Sequence, residues 1–197
     1  MRSLLNSQQY YDPEGIAEKL GISPATWPLA GLLWDAGLQL AEFMMNFDIK
    51  EKRILEVGCG LGLTSIFLHD RGADITATDV HPDAESNLLF NTRLNNLQPI
   101  PFVRTDWKDT NHTLGKFDLL IASDVLYQPN HPGLIAAFIN RHTFDPSQLI
   151  IVDPARGNFS RFNKEMKQYG FNCSEKKLGD AQLRRNKFKG QIRSFSN

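Results

Sequence analysis

The sequence predicts an α/β fold in which a mostly parallel, doubly wound sheet carries helices on both faces. Short, continuous apolar runs recur along the chain, as expected of strands that are buried on both sides. Segments with the period of an amphipathic helix separate these runs and supply the crossovers that parallel strands require. The five apolar runs cover residues 53–58, 74–80, 101–107, 117–125 and 148–153.

The predicted helices alternate with these strands. Gly72 and Gly170 stand where helices commonly end, because glycine readily adopts the left-handed conformation of a helix C-terminus. A further helical pattern precedes the first strand, within residues 30–47. The four helical segments between and after the strands are 63–72, 82–97, 131–142 and 159–170.

The two ends of the chain depart from this alternation. Residues 1–29 contain prolines but no clear period, which predicts an irregular N-terminal extension. Apolar and polar residues alternate in "KFKGQIRSF", which predicts closing strands that form an antiparallel hairpin at the sheet edge. Because there is no internal repeat or low-complexity linker, residues 1–197 are expected to form a single domain. Its parts are the extension, a cofactor-binding core over 30–170 and edge strands over 171–197.

Composition favours a protein of the cytoplasm. Lys and Arg together number 22, as do Asp and Glu, so the overall charge does not point to an acidic partner. The two cysteines, Cys59 and Cys173, make no disulfide framework. No apolar run is long enough for a membrane span, and the N-terminus lacks a signal-peptide pattern. The five histidines have no metal-binding spacing, so no metal is expected.

Candidate functional residues cluster where the predicted strands end. In a doubly wound sheet the ligand lies beyond the carboxyl ends of the strands, at the point where the strand order reverses. The residues at those ends are Gly58–Gly62, Asp79, Asp106, Trp107, Asp124, Tyr127 and Asp153.

The loop "EVGCGLG" after the first strand indicates a ligand that contains adenosine. Gly58 and Gly60 allow the backbone to turn sharply and to approach a ligand closely, since no Cβ intervenes. Asp79 follows Gly60 by 19 residues, at the end of the next strand. A carboxylate at that position can accept the protons of both ribose hydroxyls.

The details of the loop argue against a phosphate-bearing nucleotide. In the nicotinamide fingerprint the third glycine would be residue 63, which is leucine, whereas here it comes at Gly62. No Gly-Lys-Ser/Thr follows, which excludes a P-loop. Glu56, inside the strand, would repel a pyrophosphate but suits a cationic ligand or orients the loop. S-adenosylmethionine, which has a ribose, an adenine, an ammonium and a sulfonium, fits these features.

At these residues the sequence resembles the class I S-adenosylmethionine-dependent methyltransferases. "LEVGCGLG" is similar to their first motif and "TATDV" to their ribose-binding strand end, and the likeness covers about residues 30–155. Within the class, "GLLWDAGLQLAEFM", "TDW" and "SDVLY" resemble lysine methyltransferase family 16, and "VDPARGNFSRF" is similar to bacterial members that resemble the electron-transfer-flavoprotein lysine methyltransferases. The resemblance implies a Rossmann-like, seven-stranded sheet, S-adenosylmethionine as cofactor, and a lysine of a partner protein as acceptor.

The resemblance also implies where individual residues meet the cofactor. Trp34 matches a Gly-x-x-Trp stretch before the first core strand and is expected near the methionine end. Asp106 and Trp107 match an Asp-Trp pair near the adenine. The alternatives are that the rings fill the core and that Asp106 caps the next segment. Ala122 lies where a small residue lets the backbone run close to the cofactor.

Asp124 and Tyr127 match the family's Asp-x-x-Tyr/Phe motif, which is implicated in substrate engagement. We expect Asp124 to attract and orient an incoming ammonium, and Tyr127 to wall the slot or to accept a hydrogen bond. The structural alternative is that Asp124 caps the following segment and Tyr127 packs. The "SDVLY" sequence argues against amino-methyltransferases of adenine or glutamine, which place Asn/Asp-Pro-Pro-Tyr/Phe after strand four.

Several alternatives stay open at the level of sequence. The acceptor could instead be a small amine or RNA, or the chain could bind S-adenosylmethionine without catalysing transfer. From Lys176 to Arg193 there are seven basic residues and one acid, a pattern that suits nucleic acid, an acidic protein surface or plain solvent. Residues 153–156 either line the substrate cleft or form an Asp–Arg pair or turn.

Overall fold

The computed structural model describes residues 1–110, 114–174 and 188–197. Within those ranges seven strands form one sheet: β1 (Arg53–Val57), β2 (Asp74–Asp79), β3 (Phe102–Arg104), β4 (Phe117–Ser123), β5 (Thr143–Asp153), β6 (Asn172–Ser174) and β7 (Gln191–Ser196). Their order is β3-β2-β1-β4-β5-β7-β6. The first five strands are parallel, and β7 runs antiparallel to both β5 and β6. The predicted sheet, including its antiparallel edge, is confirmed.

Helices cover both faces of the sheet, because side chains of the central strands alternate between two apolar layers. The helices are α1 (Ile16–Lys19), α2 (Asp35–Met44), α3 (Leu63–Asp70), α4 (Ala84–Leu94), α5 (His131–His142) and α6 (Phe159–Gln168). In β4, Leu120 and Ala122 pack with buried residues of α5 and α6. Leu119 and Ile121 point to the other layer, with residues of α2, α3 and α4.

Three local features differ from the sequence-based prediction. The helix expected within 30–47 begins only at Asp35, because Leu29–Gly31 forms a tighter 3-10 turn and Trp34 is extended, with φ −95° and ψ 141°. Strand β5 begins at Thr143 rather than at residue 148. The extension is not wholly irregular, since it contains α1. Most of the basic stretch predicted near the C-terminus, residues 176–187, lies outside the described residues.

The sheet order creates one crevice at the carboxyl ends of β1 and β4. From β1 the chain continues to β2 on one side, whereas β4 and β5 lie on the other, so the loops after β1 and β4 diverge. None of the helices in the described ranges has both the length and the apolar character for a membrane span. The same ranges hold no group of three or more His, Cys, Asp or Glu side chains placed to bind a metal ion.

Candidate active site

A cavity of about 360 Å³ lies at this crevice. That volume is in the range typical of small-molecule sites. Eight of the eleven residues predicted to form the site line the cavity: Trp34, Glu56, Gly58, Gly60, Asp79, Trp107, Asp124 and Tyr127. They come from the ends of β1 and β2, from the loops after β1, β3 and β4 and from the segment before α2, so the fold brings together residues that are far apart in the chain.

Positive φ angles give the glycine loop its shape. The angles are +68° at Gly58, +53° at Gly60 and +72° at Gly62, a region that other residues rarely adopt. A Cβ at Gly58 would lie 2.9 Å from Val125 and 3.6 Å from Trp107, so a side chain there would fill the space in front of the indole. The loop therefore forms a cradle that requires glycine for both its conformation and its open space.

Asp79 ties the end of β2 to the glycine loop. Its Oδ2 accepts a hydrogen bond from the Gly60 backbone N–H at 2.8 Å, and its Oδ1 accepts one from the His81 N–H at 2.9 Å. Each carboxylate oxygen can accept a second hydrogen bond. Asp79 can therefore hold the loop and accept from a ribose diol at the same time.

Glu56 is buried beneath the loop, with 3% of its surface exposed. Its Oε2 accepts hydrogen bonds from the backbone N–H of Ser65, at 2.9 Å, and from the Ser65 hydroxyl. Burial raises the pKa of Glu56 to about 7, and the bonds from Ser65 act in the opposite direction. The carboxyl group therefore both anchors the start of α3 and presents an acid that a nearby cation would ionise.

The charges of the lining distinguish between possible ligands. Among the described residues that line the cavity, the carboxyl groups are Glu56, Asp79 and Asp124, and the one guanidinium is that of Arg156. This balance opposes a pyrophosphate and favours a ligand with positive charge. The glycine cradle, the diol acceptor and the acidic lining together fit S-adenosylmethionine.

On the other side of the cavity, Asp124 forms a two-point ion pair with Arg156. The Asp124 Oδ1 lies 2.6 Å from Arg156 Nε, and its Oδ2 lies 2.7 Å from Arg156 Nη2. The sequence left open whether 153–156 lines the cleft or forms a buried Asp–Arg pair or turn. Of these four residues Arg156 lines the cavity, and its partner is Asp124 rather than Asp153. Asp153 instead accepts from the Ala155 N–H at 2.8 Å.

The rings of Trp107, Tyr127 and His131 pack together, and the first two line the cavity. The His131 ring packs edge-to-face against Trp107, with centroids 4.9 Å apart, and against Tyr127, with centroids 4.5 Å apart. His131 Nδ1 lies 2.7 Å from the Val125 carbonyl oxygen, so Nδ1 donates this bond. Burial lowers the pKa of His131. A neutral histidine therefore holds both aromatic side chains of the cavity wall.

Three predicted residues do not line the cavity. Gly62 packs against Leu88 at the start of α3, where a Cβ would collide with that side chain. Ala122 is fully buried in β4, where it pairs with its strand neighbours. Asp106 is exposed, and its Oδ1 accepts from the Lys108 N–H at 3.0 Å, as in the capping alternative.

The N-terminal extension contributes lining residues that the sequence did not indicate. Ile22 and Thr26 border the cavity beside the glycine loop. The extension is held there by Tyr10, whose ring packs against His81 with centroids 5.4 Å apart, and by a bond from the Leu4 N–H to the Gly31 carbonyl at 2.7 Å. No periodic pattern marks these contacts, so only the folded chain shows them.

Comparisons with known proteins identify the family and the fold. A family described as lysine methyltransferase matches residues 23–169. The chain is 27% identical to the electron transfer flavoprotein beta subunit lysine methyltransferase of Mus musculus over 147 residues, which cover 73% of this chain and 57% of that protein. It is 31% identical to the Danio rerio protein of the same description, with 72% and 57% covered. The chain thus spans little more than half the length of these relatives.

Solved structures share the fold at lower identity. A TehB-like SAM-dependent methyltransferase from Corynebacterium glutamicum matches with a TM-score of 0.63 and 18% identity, covering 94% of this chain and 100% of that one. Magnesium protoporphyrin IX methyltransferase from Synechocystis PCC 6803, solved with bound SAH, matches with a TM-score of 0.62 and 15% identity, covering 82% and 81%. The family predicted from the sequence motifs is confirmed, and this chain belongs to the lysine methyltransferase family.

Proposed function

We propose that this protein transfers a methyl group from S-adenosylmethionine to the side-chain nitrogen of a lysine on a partner protein. One observation carries the proposal: a single cavity joins the glycine loop and Asp79 to Asp124 and Tyr127. A cofactor held on one side therefore faces an acidic, aromatic slot on the other. The cytoplasmic location favoured by the cysteine content belongs to the same proposal.

Residues on the side of the glycine loop and Asp79 would hold the cofactor. Asp79 would bind the ribose hydroxyls, and the backbone at Gly58 and Gly60 would approach the ligand closely. Trp107 would stand beside the adenine, because it lines the cavity and its ring comes within 3.6 Å of a Cβ placed at Gly58. Trp34, fixed by a bond from its Nε1 to the Leu29 carbonyl at 2.9 Å, would border the methionine end.

The side of the cavity formed by Asp124 and Tyr127 would receive and align the nucleophile. When bound, S-adenosylmethionine supplies an activated methyl carbon, to which the amine lone pair bonds as the C–S electron pair returns to sulfur. The protein chiefly aligns the two reactants, an effect worth about 7 to 11 kcal/mol in well-oriented systems. The lysine must first lose a proton, against a reference pKa of about 10.4. A partly buried slot beside Tyr127 favours the neutral amine by desolvation.

The relatives support a protein as the acceptor. Their descriptions name the electron transfer flavoprotein beta subunit and, for a further Mus musculus relative with 30% identity, EEF1A. A protein lysine is accordingly the first acceptor to test. The alternatives from the sequence, a small amine, RNA or cofactor binding without transfer, become distinct outcomes of that test.

The test is transfer of a radiolabelled methyl group from S-adenosylmethionine into a cell lysate that lacks this enzyme. We expect the label to enter a protein band, to disappear with protease and to survive ribonuclease. Mass spectrometry of that band should find methyllysine. Label that is lost with ribonuclease would make RNA the acceptor, and calorimetric binding without any label would leave a binding module.

Two substitutions separate the two sides of the cavity. Asp79→Ala should abolish binding of S-adenosylmethionine in calorimetry. Asp124→Ala should retain that binding but lower methyl transfer by at least about tenfold, the range expected when one positioning group is lost. If Asp124→Ala methylates at the wild-type rate, the slot has been assigned to the wrong residues.

A further inference from the structure

Arg156 is bound to the carboxylate of Asp124, the group that the sequence assigns to the incoming ammonium. Its guanidinium meets both oxygens of Asp124, at 2.6 and 2.7 Å, in the fork geometry that arginine makes with carboxylates. The Asp124 side chain is 10% exposed, whereas that of Arg156 is 42% exposed. Both residues line the cavity. The carboxylate is therefore already charge-compensated before any acceptor arrives.

The loops that carry the pair are built to keep it together. Asn158, at the end of the loop after β5, donates to the Leu126 carbonyl at 2.8 Å, and Arg161 in α6 donates to the Pro129 carbonyl at 3.0 Å. The loop after β4 is therefore bound both to the loop after β5 and to the helix that follows it. Asp124 has φ +52° and Ala155 has φ +65°, a conformation that residues other than glycine rarely adopt. Left-handed backbone at Asp124 and at the residue before Arg156 indicates that the surrounding structure holds the two loops in the conformation that pairs them.

The charge of the slot decides which form of the amine it receives. A bare carboxylate stabilises an ammonium and so opposes the deprotonation that methyl transfer requires. A carboxylate paired with a guanidinium has no net charge, while its oxygens can still accept a hydrogen bond from an N–H. Lysine beside a fixed cation is also known to lose its proton more readily.

We propose that Arg156 is a positioning residue that cancels the charge of Asp124, so that the slot accepts the acceptor lysine as a neutral amine. The lysine proton leaves to solvent before transfer, and the amine lone pair is free to attack. This inference rests on the proposed lysine acceptor. It assigns Arg156 a part in the reaction beyond lining the cleft.

Other charged groups around the slot would not mimic this effect. Asp153, behind Arg156 on β5, is buried and held by the Ala155 N–H. Burial, together with the charges of Asp79 and Asp124, raises the pKa of Tyr127 to about 12, so its hydroxyl stays protonated. Glu56, with its pKa of about 7, is ionised above pH 8. Rates measured between pH 8 and 10 therefore report chiefly the acceptor amine.

The test is the pH dependence of single-turnover methyl transfer to the protein labelled in the lysate experiment, with saturating cofactor. For Arg156→Gln we expect the midpoint of the rate rise to move up by about one pH unit, because an unpaired carboxylate then stabilises the ammonium. The rate at pH 8 would fall about tenfold. Arg156→Lys, which keeps the charge, should restore most of the wild-type midpoint.

Two further variants separate charge from structure. Arg161→Gln removes a neighbouring link from α6 to the loop after β4 without touching Asp124, and its midpoint should equal that of the wild type. The double variant Asp124→Asn, Arg156→Gln again leaves an uncharged slot, so its midpoint should return toward the wild-type value even if its maximal rate is low. If Arg156 had only a structural role, the midpoint of the double variant would not return toward the wild-type value.

The outcomes distinguish this inference from the proposed function. If Arg156→Gln has the wild-type midpoint while calorimetry shows normal cofactor binding, the inference is wrong and the lysine acceptor stands. If the double variant keeps the raised midpoint of Arg156→Gln, the inference is equally wrong. If the wild-type protein labels no protein in the lysate, the proposed function fails, and this inference fails with it.

Discussion

The cavity has two sides that are held in different ways. At the ends of β1 and β2, the glycine loop is fixed by its backbone conformation and by the bond from the Gly60 N–H to Asp79. At the ends of β4 and β5, the main link is a pair of side chains, Asp124 and Arg156, that lie 32 residues apart in the chain. The cofactor side is therefore a local property of the sequence, whereas the acceptor side depends on how two separate loops meet.

The two sides also differ in charge. On the cofactor side, Glu56 and Asp79 meet hydrogen-bond donors but, among the described contacts, no cationic side chain, so their charge is available to a cationic ligand. On the acceptor side, Arg156 compensates Asp124. One half of the cavity is thus suited to holding a cation and the other to receiving a neutral nucleophile.

The largest effect that would test this division is expected for Asp79→Ala. The substitution removes the bond from the Gly60 N–H of the glycine loop, the bond from the His81 N–H after β2 and the acceptor for the ribose diol. Hydrogen bonds to charged groups contribute about 1.5 to 3 kcal/mol each. Because about 1.4 kcal/mol corresponds to tenfold in affinity, we expect S-adenosylmethionine to bind at least about 100-fold more weakly in calorimetry.

The matched comparison is Asp124→Asn, which removes a carboxylate of the same type from the opposite side. We expect its affinity for S-adenosylmethionine to stay within about threefold of wild type, which is a difference of about 0.65 kcal/mol in binding free energy. Equal losses in the two variants would show that the cavity is not divided into a cofactor side and an acceptor side.

A smaller change in affinity for S-adenosylmethionine, confined to one pH range, is expected from the titration of Glu56. A cofactor cation beside this carboxyl group favours its ionised form, so binding below pH 7 must also release a proton. With a pKa of about 7 in the free protein, affinity for S-adenosylmethionine should be about tenfold weaker at pH 6 than at pH 8. Calorimetry with Glu56→Gln should show this difference abolished.

The same group gives a matched control in the stability of the free protein. The unfolded chain loses the Glu56 proton near its ordinary pKa of 4.5, whereas the folded protein keeps it to about 7. Between these values the folded state binds more protons, so the free energy of unfolding should fall as pH rises. In thermal unfolding, Glu56→Gln should lack the part of this pH dependence that comes from Glu56. Wild-type and variant curves that run parallel would mean that Glu56 is ionised throughout.

The contrast between the two sides explains how much the sequence could predict. Gly58, Gly60 and Asp79 were identified because a left-handed turn without Cβ atoms requires glycine at fixed spacing from the strand that follows. The alternation of strands and helices and the presence of helices on both faces of the sheet followed from apolar patterning. These features depend on short stretches of chain.

The remaining features depend on contacts between distant segments. Asp124 and Ala155 adopt left-handed conformations that no pattern in the sequence indicates, and the bond between Arg156 and Asp124 joins loops 32 residues apart. The N-terminal extension reaches the cavity through contacts such as Tyr10 with His81, which have no period. The helical spacing of apolar residues in 30–47 likewise does not indicate that Trp34 is extended rather than helical.

The smallest effect is expected for Asp106→Ala, where the sequence and the structure point in different directions. The motif places Asp106 near the adenine, but its side chain is exposed, does not line the cavity and accepts from the Lys108 N–H at 3.0 Å. Loss of one exposed turn bond costs about 0.5 to 1.5 kcal/mol of stability at most. Affinity for S-adenosylmethionine should change by less than about threefold, or about 0.65 kcal/mol. A loss of tenfold or more in calorimetry would show that Asp106 turns inward to the adenine when the cofactor binds, and that the cofactor side extends past the end of β3.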